Sequence, residues 1–207
     1  MLNLAQTELG WPASDILFAP PGSGAAVVAD LARAKIEQRI RGLDGGQNAR
    51  VGILTTDPHS RSTQAPIALV CEFKGAIPIA TLRELHILAW NFSRTPLLIT
   101  IEPHRLRAFS CCEKPERELL DENHLQAEIT EAEYQSDQAS TISGKAVALL
   151  HWLNLSSGVL QRKYPKRFDR RGAADNTLLE NLNVVREKLY ADGLGFDLIH
   201  DLLARLI

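Results

Sequence analysis

Glu72 and Lys74 stand two residues apart at the end of a short apolar run, Ile67 to Cys71, and on a strand that spacing puts both side chains on one face. A carboxylate in such a place can hold Mg²⁺, and a neighbouring lysine can position or activate the water that attacks a phosphate. Glu72 and Lys74 are thus the candidate catalytic pair, with Glu72 as candidate metal ligand and Mg²⁺ as the cofactor of that reading. The chemistry also asks for a second carboxylate beside Glu72. If Arg50 to Thr56 and Ala65 to Lys74 form a hairpin centred near Ser60 and Arg61, the residue facing Glu72 falls among Asn48, Ala49 and Arg50, none of them an acid. Asp57 has a tempting spacing but belongs to the turn, and at ~3.3 Å per residue it lies roughly 20 Å or more from Glu72. Asp44, in the loop before the first strand, and Glu37, on the preceding helix, remain as candidates for the second acid.

The elements that would position this pair follow from pattern. Pro66 lies at the start of the apolar run, where a missing N–H is tolerated. Leu82, Leu85, Leu88 and Ala89 recur at helical spacing, which predicts a helix from Thr81 to about Ser93. Leu97 to Ile101 and Leu106 to Phe109 flank a Pro-His turn and read as two paired strands. Upstream, Met1 to Trp11 is an amphipathic lead-in, Asp15 to Ala19 reads as a strand or buried stem, and a helix runs from about Ala25 to Arg41. The class expected is α/β (α+β): a small mixed sheet with flanking helices, followed by C-terminal helices.

Gly22 and Gly24 before a helix invite a nucleotide-binding reading, but Ala25 and Ala26 stand where a phosphate loop has its Lys and its Ser or Thr, and no Gly-x-Gly-x-x-Gly occurs. A plain turn is the better account. His59, His86 and His104 share no ligand spacing, and surface or capping roles are expected for them. Trp90 and Trp152 read as core anchors. Three cysteines, two of them adjacent (Cys111 and Cys112), match neither a zinc site nor a disulfide framework, so reduced thiols in a cytoplasmic protein are expected. There is no apolar run of membrane-spanning length and no basic, apolar signal at the N-terminus.

With 207 residues, 45% hydrophobic and 23% charged, the chain has the composition of a globular protein, and a net charge of −2 argues against general coating of a polyanion. Charge is unevenly distributed, however. Between Glu113 and Asp137 nine acids face only Lys114 and Arg117, which reads as a solvated connecting segment. Between Arg162 and Arg171 six cations face one acid, Asp169, with Tyr164 and Phe168 interleaved. Arg162, Lys163, Lys166, Arg167, Arg170 and Arg171 are therefore candidate DNA-binding residues that would grip backbone phosphate. Two amphipathic helices follow, Thr177 to Tyr190 and Phe196 to Ile207; the second lacks a stop signal, so a further domain is expected beyond it. The division expected is 1–112, a mixed-sheet domain; 113–142, an acidic connection; and 143–207, a helical region.

The stretch Glu84-Leu-His-Ile-Leu-Ala-Trp-Asn-Phe-Ser-Arg-Thr-Pro-Leu-Leu, together with Leu150-His-Trp-Leu, Phe168-Asp-Arg-Arg, Leu178-Leu-Glu-Asn-Leu and Val185-Arg-Glu-Lys-Leu, resembles the N-terminal region of bacterial restriction-modification proteins of the adenine-specific DNA methyltransferase type. The order of elements around Glu72 and Lys74 also resembles the PD-(D/E)xK nuclease fold, which implies that the sheet is restriction-endonuclease-like and that 1–112 is a nuclease-like domain. These resemblances imply DNA as a partner, and a methyltransferase domain or subunit as another. The chain has neither the Asn-Pro-Pro-Tyr type motif nor the Gly-rich cofactor loop of a methyltransferase. The function expected is a DNA-interacting accessory domain without complete catalytic machinery. The alternatives are a Mg²⁺-dependent endonuclease using Glu72 and Lys74 with Asp44 or Glu37, and a homo-oligomeric assembly module pairing through its terminal helices. No membrane partner is expected.

Overall fold

The computed structural model describes residues 1–20, 27–57, 65–115, 125–130, 143–169, 171 and 173–205. Gly22 and Gly24, His59, most of the acidic segment, Arg170 and the last two residues lie outside these. Two short helices, α1 (Leu2–Thr7) and α2 (Ser14–Leu17), come first. A longer helical rod follows: α3 (Val27–Ala32), a π-helical stretch (Arg33–Glu37) and α4 (Gln38–Arg41). Strands β1 (Arg50–Thr55) and β2 (Pro66–Glu72) lead to α5 (Ile79–Phe92), then to β3 (Leu97–Ile101), β4 (Arg105–Ser110) and β5 (Leu125–Thr130). Helices α6 (Ser143–Leu150), α7 (Trp152–Ser156) and α8 (Val159–Lys163), a 3₁₀ turn (Pro165–Phe168), and the pair α9 (Ala174–Ala191) and α10 (Phe196–Ala204) complete the chain.

The strands lie in sequence order in one mixed sheet. The β1–β2, β3–β4 and β4–β5 pairs are antiparallel, and α5 carries the chain across to make β3 parallel to β2. Both faces are covered, which is why β2 and β3 read as continuous apolar runs and not as alternating ones. Leu69, Cys71 and Leu98 face Ile36, Ile40, Leu82 and Leu85 on one side. Val70, Leu97 and Ile99 face Leu9, Leu17, Leu149, Leu150 and Leu160 on the other. Each fully buried leucine of this kind contributes about 1.5–3 kcal/mol of transfer free energy.

Three expectations change here. The run from Asp15 to Ala19 is not a strand: Ser14–Leu17 is a helical turn that buries Leu17, and short apolar runs cannot be told apart by period alone. Gly52 makes room for it, since a Cβ there would stand 2.2 Å from the Leu17 carbonyl oxygen. The acidic connection contains β5, whose Leu125-Gln-Ala-Glu-Ile-Thr alternates with period two and buries Ile129. The boundary expected at 112 thus runs through the sheet, and α6 to α8 share a core with β3 instead of forming a separate helical region.

Candidate functional site

The hairpin register is the one the sequence suggested, with Arg50 directly opposite Glu72. The Arg50 Nε donates to Glu72 Oε2 at 2.6 Å, and a terminal guanidinium nitrogen closes on the same oxygen. Arg50 also lies over the Phe18 ring, 4.5 Å from its centroid, so α2 and β2 fix the guanidinium between them. The position where the metal chemistry wants a second negative charge is filled by a positive one.

The other candidate acids lie elsewhere. Glu37 reaches the outer edge of β1, where its Oε2 accepts from the Val51 N–H at 3.1 Å and its other oxygen pairs with Arg41 one helical turn on. It therefore clamps the helical rod to the edge strand, with β1 between it and Glu72. Asp44 is exposed in the turn after α4, and it is its backbone carbonyl that is held, by the Thr81 hydroxyl at 2.7 Å. Asp57 is at the far end of the hairpin. Lys74 is exposed just past the strand, beyond the buried Phe73. Among the described residues no group of three or more His, Cys, Asp or Glu side chains stands close enough to share an ion. As placed, Glu72, Glu37 and Asp44 do not make the oxygen cluster that Mg²⁺ requires.

Among the described residues the most heavily bonded carboxylate is Glu102, which no motif in the sequence marks. Buried just after β3, it accepts from the Ile77 N–H at 2.9 Å, from Arg105 at 2.8 and 3.0 Å, and from Arg107 at 2.8 Å. It faces the opposite side of the sheet from Glu72, because Glu72 pairs with Ile101, the residue before it. The available signal was the pair of arginines three and five residues on. His86 was expected at the surface and is buried against the sheet, its Nε2–H donating to the Ser110 carbonyl at 2.7 Å. Burial pushes the Cys71 and Cys111 thiols well up, which keeps them protonated and unreactive.

The basic segment is arranged differently. Arg162 and Lys163 end α8, and Lys166 and Arg167 follow on the 3₁₀ turn; all four are exposed. Their backbone is tied down: the Arg167 carbonyl accepts from the Ser110 hydroxyl at 2.6 Å, which anchors the turn to the end of β4. Tyr164 is half-buried under the cations, with Lys163 Nζ 5.6 Å and Arg167 Cζ 5.9 Å from its ring. Arg162 donates to the Ser157 carbonyl at 2.8 Å. Arg171 is different, since its guanidinium binds Asp169 at 2.7 Å and 2.5 Å and lowers the Asp169 carboxyl below its ordinary range. No family model, curated protein or solved structure matches the chain.

Proposed function

We propose that this chain is a DNA-contacting accessory domain of a restriction-modification protein, and that it contributes backbone binding without a complete hydrolytic centre of its own. One observation carries the reading: four exposed cations, Arg162, Lys163, Lys166 and Arg167, lie within six residues on a segment bonded to the end of β4, with no acid among them. Lys and Arg so placed meet phosphate by charge and by fork geometry, and their contact releases counterions whatever the base sequence. Tyr164 stiffens the platform from beneath. The resemblance of residues 84–98, 150–153, 168–171, 178–182 and 185–189 to the N-terminal region of adenine-specific methyltransferase proteins supplies the biological setting.

The geometry around Glu72 supports the non-catalytic half of the proposal. Arg50 sets a positive charge on one oxygen of Glu72, which opposes a cation bound beside it, and Glu37 would have to release both Arg41 and the edge of β1. The test is duplex binding and cleavage measured side by side. Binding that persists in a chelator, with no cleavage when Mg²⁺ is added, is the expected result. Mg²⁺-dependent cleavage that is lost in Lys74→Ala would establish the endonuclease reading in its place.

A further inference from the structure

The helical rod treats its cations in two ways. On one side Arg33 pairs with Asp30 and Arg41 with Glu37, so each is answered by an acid of the rod itself. Lys35 and Arg39 are both exposed, and among the described residues neither is within ion-pairing distance of an acid. These two overhang a cleft of about 440 Å³ between the rod and α5. The rod's wall of this cleft includes the π-helical stretch Arg33–Glu37, a geometry that is rare and found mostly as single turns at functional sites.

The floor of the cleft is apolar. Ile36 is buried, while Leu88 and Phe92, one turn apart on α5, are half-buried and continue the core on that side of the sheet. Gln38 and Asn91 bring amides to the rim from the two walls. The acids of these walls are Asp30, Glu37 and Glu84. The first two are engaged by Arg33 and Arg41, and Glu84, exposed one turn before Leu88, does not line the cleft. Past the ends of the walls, Asp44 follows the rod and Arg94 follows α5, and neither lines it. The stems of Lys35 and Arg39 do not fill the space, because the cleft is open with both side chains in place.

We propose that this cleft binds a small organic anion with an aromatic body, its ring against Ile36, Leu88 and Phe92 and its carboxylate or phosphate head between Lys35 and Arg39. Charge complementarity sets the sign of the ligand, since two cations and no acid line the site. The floor sets the other end: a ring gains from leaving water for apolar surface, and Phe92 offers it an aromatic partner, whereas a bare inorganic anion gains nothing there. The volume lies within the range of small-molecule sites, which are mostly apolar with a few polar groups that orient the ligand. None of residues 162–167 lines the cleft, so this binding does not depend on DNA contact by the basic segment.

Titration of the full chain with naphthoate, followed by amide NMR shifts, tests the proposal. Saturable shifts at residues 34–39 and 88–92 are expected, with a dissociation constant on the order of 1 mM for an unoptimised ligand of this size. Naphthalenemethanol has the ring without the charge and acetate the charge without the ring; each is expected to bind at least about tenfold more weakly. Lys35→Glu with Arg39→Glu is expected to abolish the naphthoate shifts with an unchanged circular dichroism spectrum, and Glu84→Gln to leave them in place. Acetate binding as tightly as naphthoate overturns the proposal, because the two cations alone then account for it. Naphthalenemethanol binding as tightly overturns it from the other side, and so does a wild-type chain with no saturable shifts at these residues by about 10 mM.

Discussion

Glu102 and Lys166 belong to regions where charge has opposite surroundings. Around Glu102 a buried carboxylate accepts from two guanidinium groups and a backbone N–H, locking the loop after β2 and the β3–β4 turn together. The same holds in weaker form for Arg50 with Glu72, and for Arg41 with Glu37, where each acid is answered by a cation already in the fold. Around Lys166 it is the backbone that is fixed, while the side chains of Arg162, Lys163 and Lys166 are exposed. Ionisable side chains at a strand end therefore say little about chemistry until their partners are known. A run of cations on a rigid turn, with no acid among them, is the stronger indication of an external anionic partner.

The contrast can be broken at either end. The largest effect is expected for Glu102→Ala, which leaves the buried Arg107 and the half-buried Arg105 without their carboxylate; it should cost about 3–5 kcal/mol and lower the Tm by roughly 10 °C in a thermal melt. Next, Lys163→Ala with Lys166→Ala should reduce duplex affinity by about tenfold to hundredfold at moderate salt, read by fluorescence anisotropy, with stability unchanged. Arg50→Ala removes a half-exposed pair and should cost at most about 1 kcal/mol in urea unfolding, leaving DNA affinity as it was. A marked loss of affinity there would move the interface to the Glu72 region and reverse the comparison.

The smallest effect concerns Asp169. Its folded carboxyl lies below the ordinary aspartate range because Arg171 bonds to it, so its contribution to the turn is complete above that range and is lost as pH falls through the lowered value. Carboxyl titration by NMR should show the midpoint return to the ordinary range in Arg171→Ala.

The sequence foreshadowed the sheet's centre well, because β2 and β3 are buried on both faces and announce themselves as β-branched or leucine-rich runs, and because α5 carries a clear helical period. The hairpin register was legible too, since a turn centred near Ser60 and Arg61 leaves only residues 48–50 to face Glu72. What stayed hidden depended on distant packing. Leu17 is helical because Gly52 lets α2 approach, and β5 was masked by the acids around it although Gln126, Glu128 and Thr130 alternate with Leu125, Ala127 and Ile129. Glu102 looked like a turn residue because its partners, Ile77 and Arg107, come from other segments. The basic run was legible in composition, but the pairing of Arg171 with Asp169 and the anchoring of Arg167 by Ser110 needed coordinates.

The most direct test of DNA contact through this segment is the salt dependence of duplex binding in the presence of a chelator, compared between the wild-type chain and Lys163→Ala with Lys166→Ala. The expected result is a linear fall of log affinity with log salt that is shallower in the variant by about 0.9 for each lost phosphate contact, close to 2 in total. Identical slopes for the two proteins, or binding that appears only when Mg²⁺ is supplied, would contradict it.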